Sequence, residues 1–257
     1  MPRVPWLAAI GFGLLAAARP AGAVDVAALY QAYWAGLPAG EIWLQLHDGA
    51  TVYRDTIDMR TEGLPRLLTR FSGTAVSEGR DASTRPQPQQ YEARYALRKK
   101  HDRRLVMRFD LRGGAVIADR GPGDSSKKPP LPARFRTNVV DPLSALTAIR
   151  DVLRLGNRGP FSVPVYDGAR RFDIVARVLP KQPGDANLQL RLTLMPVAGF
   201  KGESSDDGDP DDAPRPALLT MTDDQRLMPL SFSVSLAYLP LDIELKRWCG
   251  SAAACRW

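Results

Sequence analysis

A mainly β fold of antiparallel strands with one or two helices is what this sequence predicts. Three observations predict it. Apolar residues recur at every second position through most of the chain, and one segment alone shows a capped helical repeat. Proline and glycine, 22 and 21 of 257 residues, punctuate the segments between. The length suits one domain able to bury a substantial core. No sustained Leu/Ala/Glu/Lys period is present to build a helical bundle or coiled coil.

The first element lies outside that fold. Arg3 precedes an apolar run from Val4 to Ala18, too short for a comfortable membrane span. Pro20 and Gly22 break it, and Ala21-Gly22-Ala23 offers a small-x-small cleavage site before Val24. Residues 1–23 are therefore expected to be a secretory signal peptide, cleaved near Ala23-Val24, delivering a soluble periplasmic protein. No cysteine follows the run, so lipid anchoring is not expected, and no later hydrophobic run has spanning length. The formal charge, 35 basic against 28 acidic residues and +7 overall, falls to +5 without Arg3 and Arg19.

Val26 to Trp34 is a helical candidate. Strands follow: Ile42, Leu44 and Leu46 share a face opposite Gln45 and His47. After the His47-Asp48-Gly49 turn, Tyr53, Ile57 and Met59 alternate with Arg54, Thr56, Asp58 and Arg60. Leu64, Leu67, Leu68 and Phe71 have helical spacing between Gly63 and Gly73, yet their neighbours are strands, and strand is the preferred assignment. Tyr91, Ala93, Tyr95 and Leu97 then oppose Glu92, Arg94 and Arg98, and Leu105, Met107, Phe109 and Leu111 oppose Arg108, Asp110 and Arg112. The capped helix comes next. Asp141 suits an N-cap, Pro142 suits the first position, and Leu143, Leu146, Ile149, Val152 and Leu153 recur before Gly156. Asp167-Gly168 marks a two-residue hairpin turn into Phe172, Ile174, Ala176 and Val178. The rows Leu188 to Leu194, Leu230 to Tyr238 and Leu241 to Leu245 complete the pattern. Each strand has one wet face.

Arg120 to Pro132 and the acidic Glu203 to Pro216, with six carboxylates, read as a loop and a disordered insertion inside one domain of residues 24–257. Setting the six acids aside leaves a folded body near +11. Cys249 and Cys255 frame five small residues, which in an oxidising compartment points to a local disulfide.

Eight or more strands offer an apolar face that one or two helices cannot cover, so the sheet must close on itself or curl around a helix. That pattern leaves open a self-packed core and a cavity that holds a ligand. Candidate cavity residues are Trp34, Trp43, Leu44, Ile57, Phe109 and Phe232. The early aromatics Tyr30, Tyr33, Trp34 and Trp43 suit a cavity mouth or a core seal.

The segments YWAGLPAGEIWLQL, VYRDTIDMRTEGL, VVDPLSALTAIRDVLR, VPVYDGARRFDIVARVL and MTDDQRLMPLSFSVSLAYLPLDIEL, in that order over most of residues 30 to 248, resemble the exported bacterial family called domain of unknown function 3108. The acidic insertion and the cysteine-bearing tail depart from its typical members. The resemblance implies a strongly curved antiparallel sheet or half-barrel wrapped on one or two helices, similar to the periplasmic lipoprotein carriers of the LolA/LolB type, which hold acyl chains. It implies no established activity.

Catalytic chemistry is not expected. The chain has no G-x-S-x-G elbow, P-loop or H-E-x-x-H. Two histidines, His47 at a turn and His101 in a loop, offer little for a triad, and no metal site or cofactor is expected. Strand carboxylates Asp55, Asp58, Asp110 and Asp173 are expected to face water or pair with Arg54, Arg108, Arg171 and Arg177. The basic run holds Arg94, Arg98, Lys99, Lys100, Arg103, Arg104 and Arg108 within fifteen residues. From it, Arg94, Arg98, Arg104 and Arg108 are the candidates for binding an anionic envelope surface, or simply a charged outer face. The expected partners are thus a hydrophobic or lipid-like ligand and that surface. Nucleic acid is not among them.

Overall fold

A computed structural model describes residues 24–49, 51–63, 71–82, 85–97, 102–110, 114–120, 130–200, 213–236, 239–250 and 254–255. The expected signal peptide, His101, Arg98 and Leu111, residues 64–70 of the segment that runs from Leu64 to Phe71, and the acidic run 203–212 lie outside these residues.

Among the described residues thirteen strands form one antiparallel sheet in two meanders. The first runs β1 (Val24–Trp34), β2 (Leu37–Asp48), β3 (Val52–Thr61), β4 (Phe71–Ala82), β5 (Arg85–Leu97), β6 (Asp102–Phe109) and β7 (Ala115–Arg120). The second runs β8 (Phe161–Tyr166), β9 (Arg171–Val178), β10 (Asn187–Ala198), β11 (Arg215–Thr222), β12 (Pro229–Leu236) and β13 (Leu239–Cys249). Pairing of β1 with β13 joins them, which leaves β7 and β8 as the two edges.

The connecting segment 130–143 spans the gap between those edges. Ala115 of β7 donates its N–H to the Arg136 carbonyl at 2.7 Å, and Val140 bonds Pro164 and Tyr166 of β8 at 2.9 Å each. Gly168, in the β8–β9 turn, has φ 94°, which glycine adopts without strain, and there the turn packs against Leu105 of β6 where the edges approach. The turn itself follows the sequence: the Asp167 N–H bonds the Arg170 carbonyl, and Asp167 Oδ1 accepts from Ala169 and Arg170. The sheet is a nearly closed barrel.

Val26 to Trp34 is not a helix but the middle of β1. From Val26 to Tyr30 its residues are apolar on consecutive positions because both faces are covered: Val26, Ala27, Ala28, Leu29 and Tyr30 are all buried. Central strands covered on both faces lose the alternation that marks a half-exposed strand. Ala35 and Gly36, at φ 50° and 78°, make the left-handed pair that turns β1 tightly into β2. Strands β4, β7 and β11 were not anticipated from the pattern. In β4 the inward row is Gly73, Ala75, Ser77 and Gly79, too small to read as hydrophobic. Size matters there, because a Cβ on Gly79 would meet the Tyr53 ring at 2.6 Å.

The helix α1 (Ser144–Arg154) lies inside the barrel, buried on nearly every side. It begins three residues after Asp141, yet Asp141 still caps it: Oδ1 accepts the Leu143 and Ser144 N–H groups at 3.0 and 2.9 Å. One apolar cluster joins α1 to β8–β12 through residues such as Ile149, Val165, Leu190 and Met221. A second gathers Val26, Leu46, Tyr91 and Met107 on the β1–β6 side.

Cys249 and Cys255 are joined as a disulfide, Cα atoms 5.6 Å apart, with the buried Cys255 lying over the outer face of β1 near Ala27. By loop entropy such a small ring contributes about 2 kcal/mol. Replacing both cysteines by alanine should lower the urea midpoint by a corresponding amount, and an unchanged midpoint would show the clasp to be dispensable.

Candidate functional site

Two features meet at α1. On one side of the helix is an apolar chamber of about 280 Å³. The helix supplies one wall through Leu143, Ala145, Leu146 and Ile149, and β1–β3 supply another through Tyr30, Ile42, Leu44 and Ile57. Ile174, Leu192, Leu219, Phe232 and Ile243, from β9 to β13, close the far side. Apart from Ser231, the single side-chain polar atom in the lining is the Tyr30 hydroxyl, which donates to the Pro229 carbonyl at 2.9 Å. Burial pushes that phenol above its ordinary range. The volume is about twice the ~150 Å³ apolar void that admits benzene.

On the other side the helix rests on buried polar groups. Ser77 and Ser144 both donate to Asp141 Oδ2, at 2.8 and 2.6 Å, and the Tyr53 and Ser144 hydroxyls share a 2.7 Å bond. Thr147 donates to Asp55 Oδ2. Arg150, fully buried, bonds Asp48 Oδ1 through Nη1 at 3.0 Å and the Arg226 carbonyl through Nη2 at 2.7 Å. Arg154 joins Asp48 at 2.6 Å and Asp151 at 3.1 Å. These contacts pin the chamber's helical wall from behind.

Asp55 corrects an expectation. It faces neither water nor an arginine on its own strand; it is 0% exposed, on the inward row of β3 between Tyr53 and Ile57. Desolvation pushes its carboxyl up to about 7; the Thr147 bond and Arg150 pull it back, while Asp48 and Asp141 push it further. Asp141 is also raised, chiefly by burial, against the hydrogen bonds it receives. Asp173 pairs with Arg171 at 2.6 Å as expected, and Asp58 pairs with Arg60 at 3.2 Å, an arginine outside the expected set.

The sequence-derived cavity residues divide. Leu44, Ile57 and Phe232 line the chamber. Trp34 stands 38% exposed at the end of β1. Trp43 lies on the outer face of β2, under the Arg60 guanidinium at 5.2 Å from its ring centre. Phe109 packs against the second cluster and does not line the chamber. Helix residues Ala145, Leu146 and Ile149 were missed as lining. Their signal was present, because a helix enclosed by a sheet must show every face to something.

Of the basic candidates, Arg94, Arg104 and Arg108 lie on the outer face of β5 and β6. Arg94 and Arg104 stand opposite each other in register, and both bond Glu92, whose carboxyl they hold below its ordinary range. His47 is on the outer face of β2, paired with Asp25 of β1. Among the described residues no group of three His, Cys, Asp or Glu side chains is placed to hold a metal ion. None of their helices is long and apolar enough to cross a membrane.

No curated protein matches this chain. Among solved structures it is similar to the beta-barrel-like protein of domain of unknown function DUF1849 from Brucella abortus. The TM-score is 0.54 at 11% identity, over 88% of this chain and 98% of that one. At that identity the likeness concerns the fold alone. Residues 29–189, more than half of the chain, match the family model described as "Protein of unknown function (DUF3108)", and the chain therefore belongs to that family.

Proposed function

We propose that this chain is an exported, non-enzymatic protein that holds a hydrophobic or lipid-like ligand inside its barrel. The observation that carries the reading is the apolar chamber of about 280 Å³ between α1 and β1–β3 and β9–β13. An apolar pocket of this size, lined largely by leucine and isoleucine, leaves its walls without packing partners when only water occupies it. A hydrocarbon guest restores them, and each methylene transferred from water adds about 0.8 kcal/mol. Export to the periplasm is supported by the signal-like residues 1–23 and by the Cys249–Cys255 disulfide, which needs an oxidising compartment to persist.

Protein taken from the periplasmic fraction should carry a co-purifying hydrophobic molecule in native mass spectra. Replacing Leu146, which lines the chamber, by tryptophan fills part of the space. That variant should lose the bound species while folding with a stability change within the 1–3 kcal/mol typical of overpacking. A clean apo mass for the natural protein, also after incubation with lipid extract, would end this reading.

A further inference from the structure

The apolar chamber and the buried carboxyl of Asp55 are close neighbours. Asp55 and Ile57 are successive inward residues of β3, about 7 Å apart along the strand, and Ile57 lines the chamber. Thr147, which donates to Asp55, lies on α1 between the lining residues Leu146 and Ile149. Solvent reaches this wall from the chamber side. Ile42, Ile57 and Leu146 are only half-buried, and Pro142, also in the lining, is exposed and marks the mouth.

Few groups hold a charge on Asp55. Its side chain is 0% exposed; Oδ2 accepts from the Thr147 hydroxyl, and Oδ1 has no hydrogen-bond partner among the described residues. Arg150 of α1 attracts it, but directs its hydrogen bonds to Asp48 and to the Arg226 carbonyl. Asp48 of β2 and Asp141, ahead of α1, repel it. Tyr53, on β3 itself, stays a neutral phenol because burial raises its pKa. On the neighbouring strands Leu46 and Ser77 stand opposite, and the Ser77 hydroxyl donates to Asp141. A carboxyl with one neutral donor in a dry site favours its protonated form, and burial pushes this one up to about 7.

Filling the chamber shifts that balance further. With solvent beside Ile57, a charge on Asp55 keeps part of its solvation through the wall; with hydrocarbon there, it loses that part. Occupancy therefore favours the protonated carboxyl, and by linkage the protonated carboxyl favours occupancy to the same extent. Asp141 responds less, because four donated hydrogen bonds hold its charge whatever fills the chamber. We infer that Asp55 makes the chamber responsive to pH: an apolar ligand is held while Asp55 carries its proton and is released as Asp55 ionises. This rests on the hydrophobic-ligand reading above and adds its regulation. The direction follows from the two titrations. The carboxyl titrates near 7 with solvent in the chamber and higher with a ligand there, so affinity is constant well below pH 7 and falls above it.

The test is calorimetric titration of the full chain with 1-octanol, which does not ionise and whose size suits a chamber about twice the void that admits benzene. In the natural protein Kd should be the same at pH 5 and 6 and about threefold to tenfold larger at pH 9, tenfold for each unit by which the ligand raises the carboxyl. At pH 7.5 binding should take up a fraction of a proton, read as a heat that varies with the ionisation enthalpy of the buffer. Asp55→Asn keeps an acceptor for Thr147 and cannot ionise; it should bind 1-octanol with one affinity throughout and take up no proton. Circular dichroism melting checks its fold. Should that variant not fold, Thr147→Val takes its place: losing the donor raises the carboxyl further, and the fall in affinity should move to higher pH. Equal affinity at pH 6 and 9, the same fall in Asp55→Asn, or an unmoved profile in Thr147→Val overturns the coupling and leaves the apolar ligand standing. No binding of 1-octanol at any pH overturns both.

Discussion

Replacing Arg150 by methionine is expected to lower the unfolding free energy by about 3–5 kcal/mol, the largest effect of any single substitution in the helix. The guanidinium is 0% exposed and donates twice to Asp48, at 3.0 and 2.8 Å, and twice to the Arg226 carbonyl, at 3.1 and 2.7 Å. Methionine fills much of the same volume but leaves the nearly buried Asp48 carboxylate with Arg154 as its remaining ion-pair partner, and leaves a backbone carbonyl unsatisfied. The cost comes mainly from the stranded groups. The pair Arg150→Met with Asp48→Leu removes both charges and should recover a substantial part of the loss, since an apolar replacement of a buried pair is often near neutral. Urea denaturation followed by tryptophan fluorescence measures all three variants. A single-variant loss below 1 kcal/mol, or a double variant no better than the sum of its parts, would show that the ion pair does not hold the helix.

That network was only partly legible from the sequence. The strands showed themselves wherever one face was wet: the Tyr91–Leu97, Leu105–Phe109 and Leu188–Leu194 rows all formed. The capped segment at Asp141 formed a helix because cap and apolar repeat agreed. Periodicity failed where its premise did. Strand β1 is covered on both faces and so mimics a helix, while β4 turns its smallest residues inward to admit the N-terminus of α1. Asp55 was visible as a carboxylate in the inward phase of Tyr53, Ile57 and Met59, and its phase should have outweighed its charge. Arg150 is harder. It lies on a helix whose every face is enclosed, so no amphipathic rule could separate a buried guanidinium from a solvated one.

Stability should fall as pH rises from about 4 to 7, opposite to the usual trend for carboxylates. Asp48 and Asp151 already balance Arg150 and Arg154, so a charge on Asp55 would be in excess inside the barrel. Burial opposes that charge first, and the nearby Asp48 and Asp141 carboxylates add to it; Thr147 and Arg150 offset part, leaving the folded carboxyl near 7. In the unfolded chain an aspartate titrates near 4. Between those values the folded protein keeps a proton that the unfolded chain has lost. Stability attached to Asp55 is therefore fully present below about pH 4 and is lost as pH climbs to about 7. At about 1.4 kcal/mol per pH unit the whole interval is on the order of 4 kcal/mol. Asp141 shifts in the same direction and steepens the slope. Asp224 and Glu92, held below the ordinary range, act oppositely but are solvent-screened pairs of small effect. The unfolding free energy should thus drop by about 2–3 kcal/mol between pH 5 and 7.5. In Asp55→Asn, which retains an acceptor for Thr147 but cannot ionise, that slope should largely vanish, and the variant should exceed the natural protein in stability at pH 8 but not at pH 5. Urea midpoints at pH 5, 6, 7 and 8 decide it. Parallel slopes for the two proteins would mean that Asp55 is ionised in the fold at neutral pH, and that Arg150 compensates two aspartates at once.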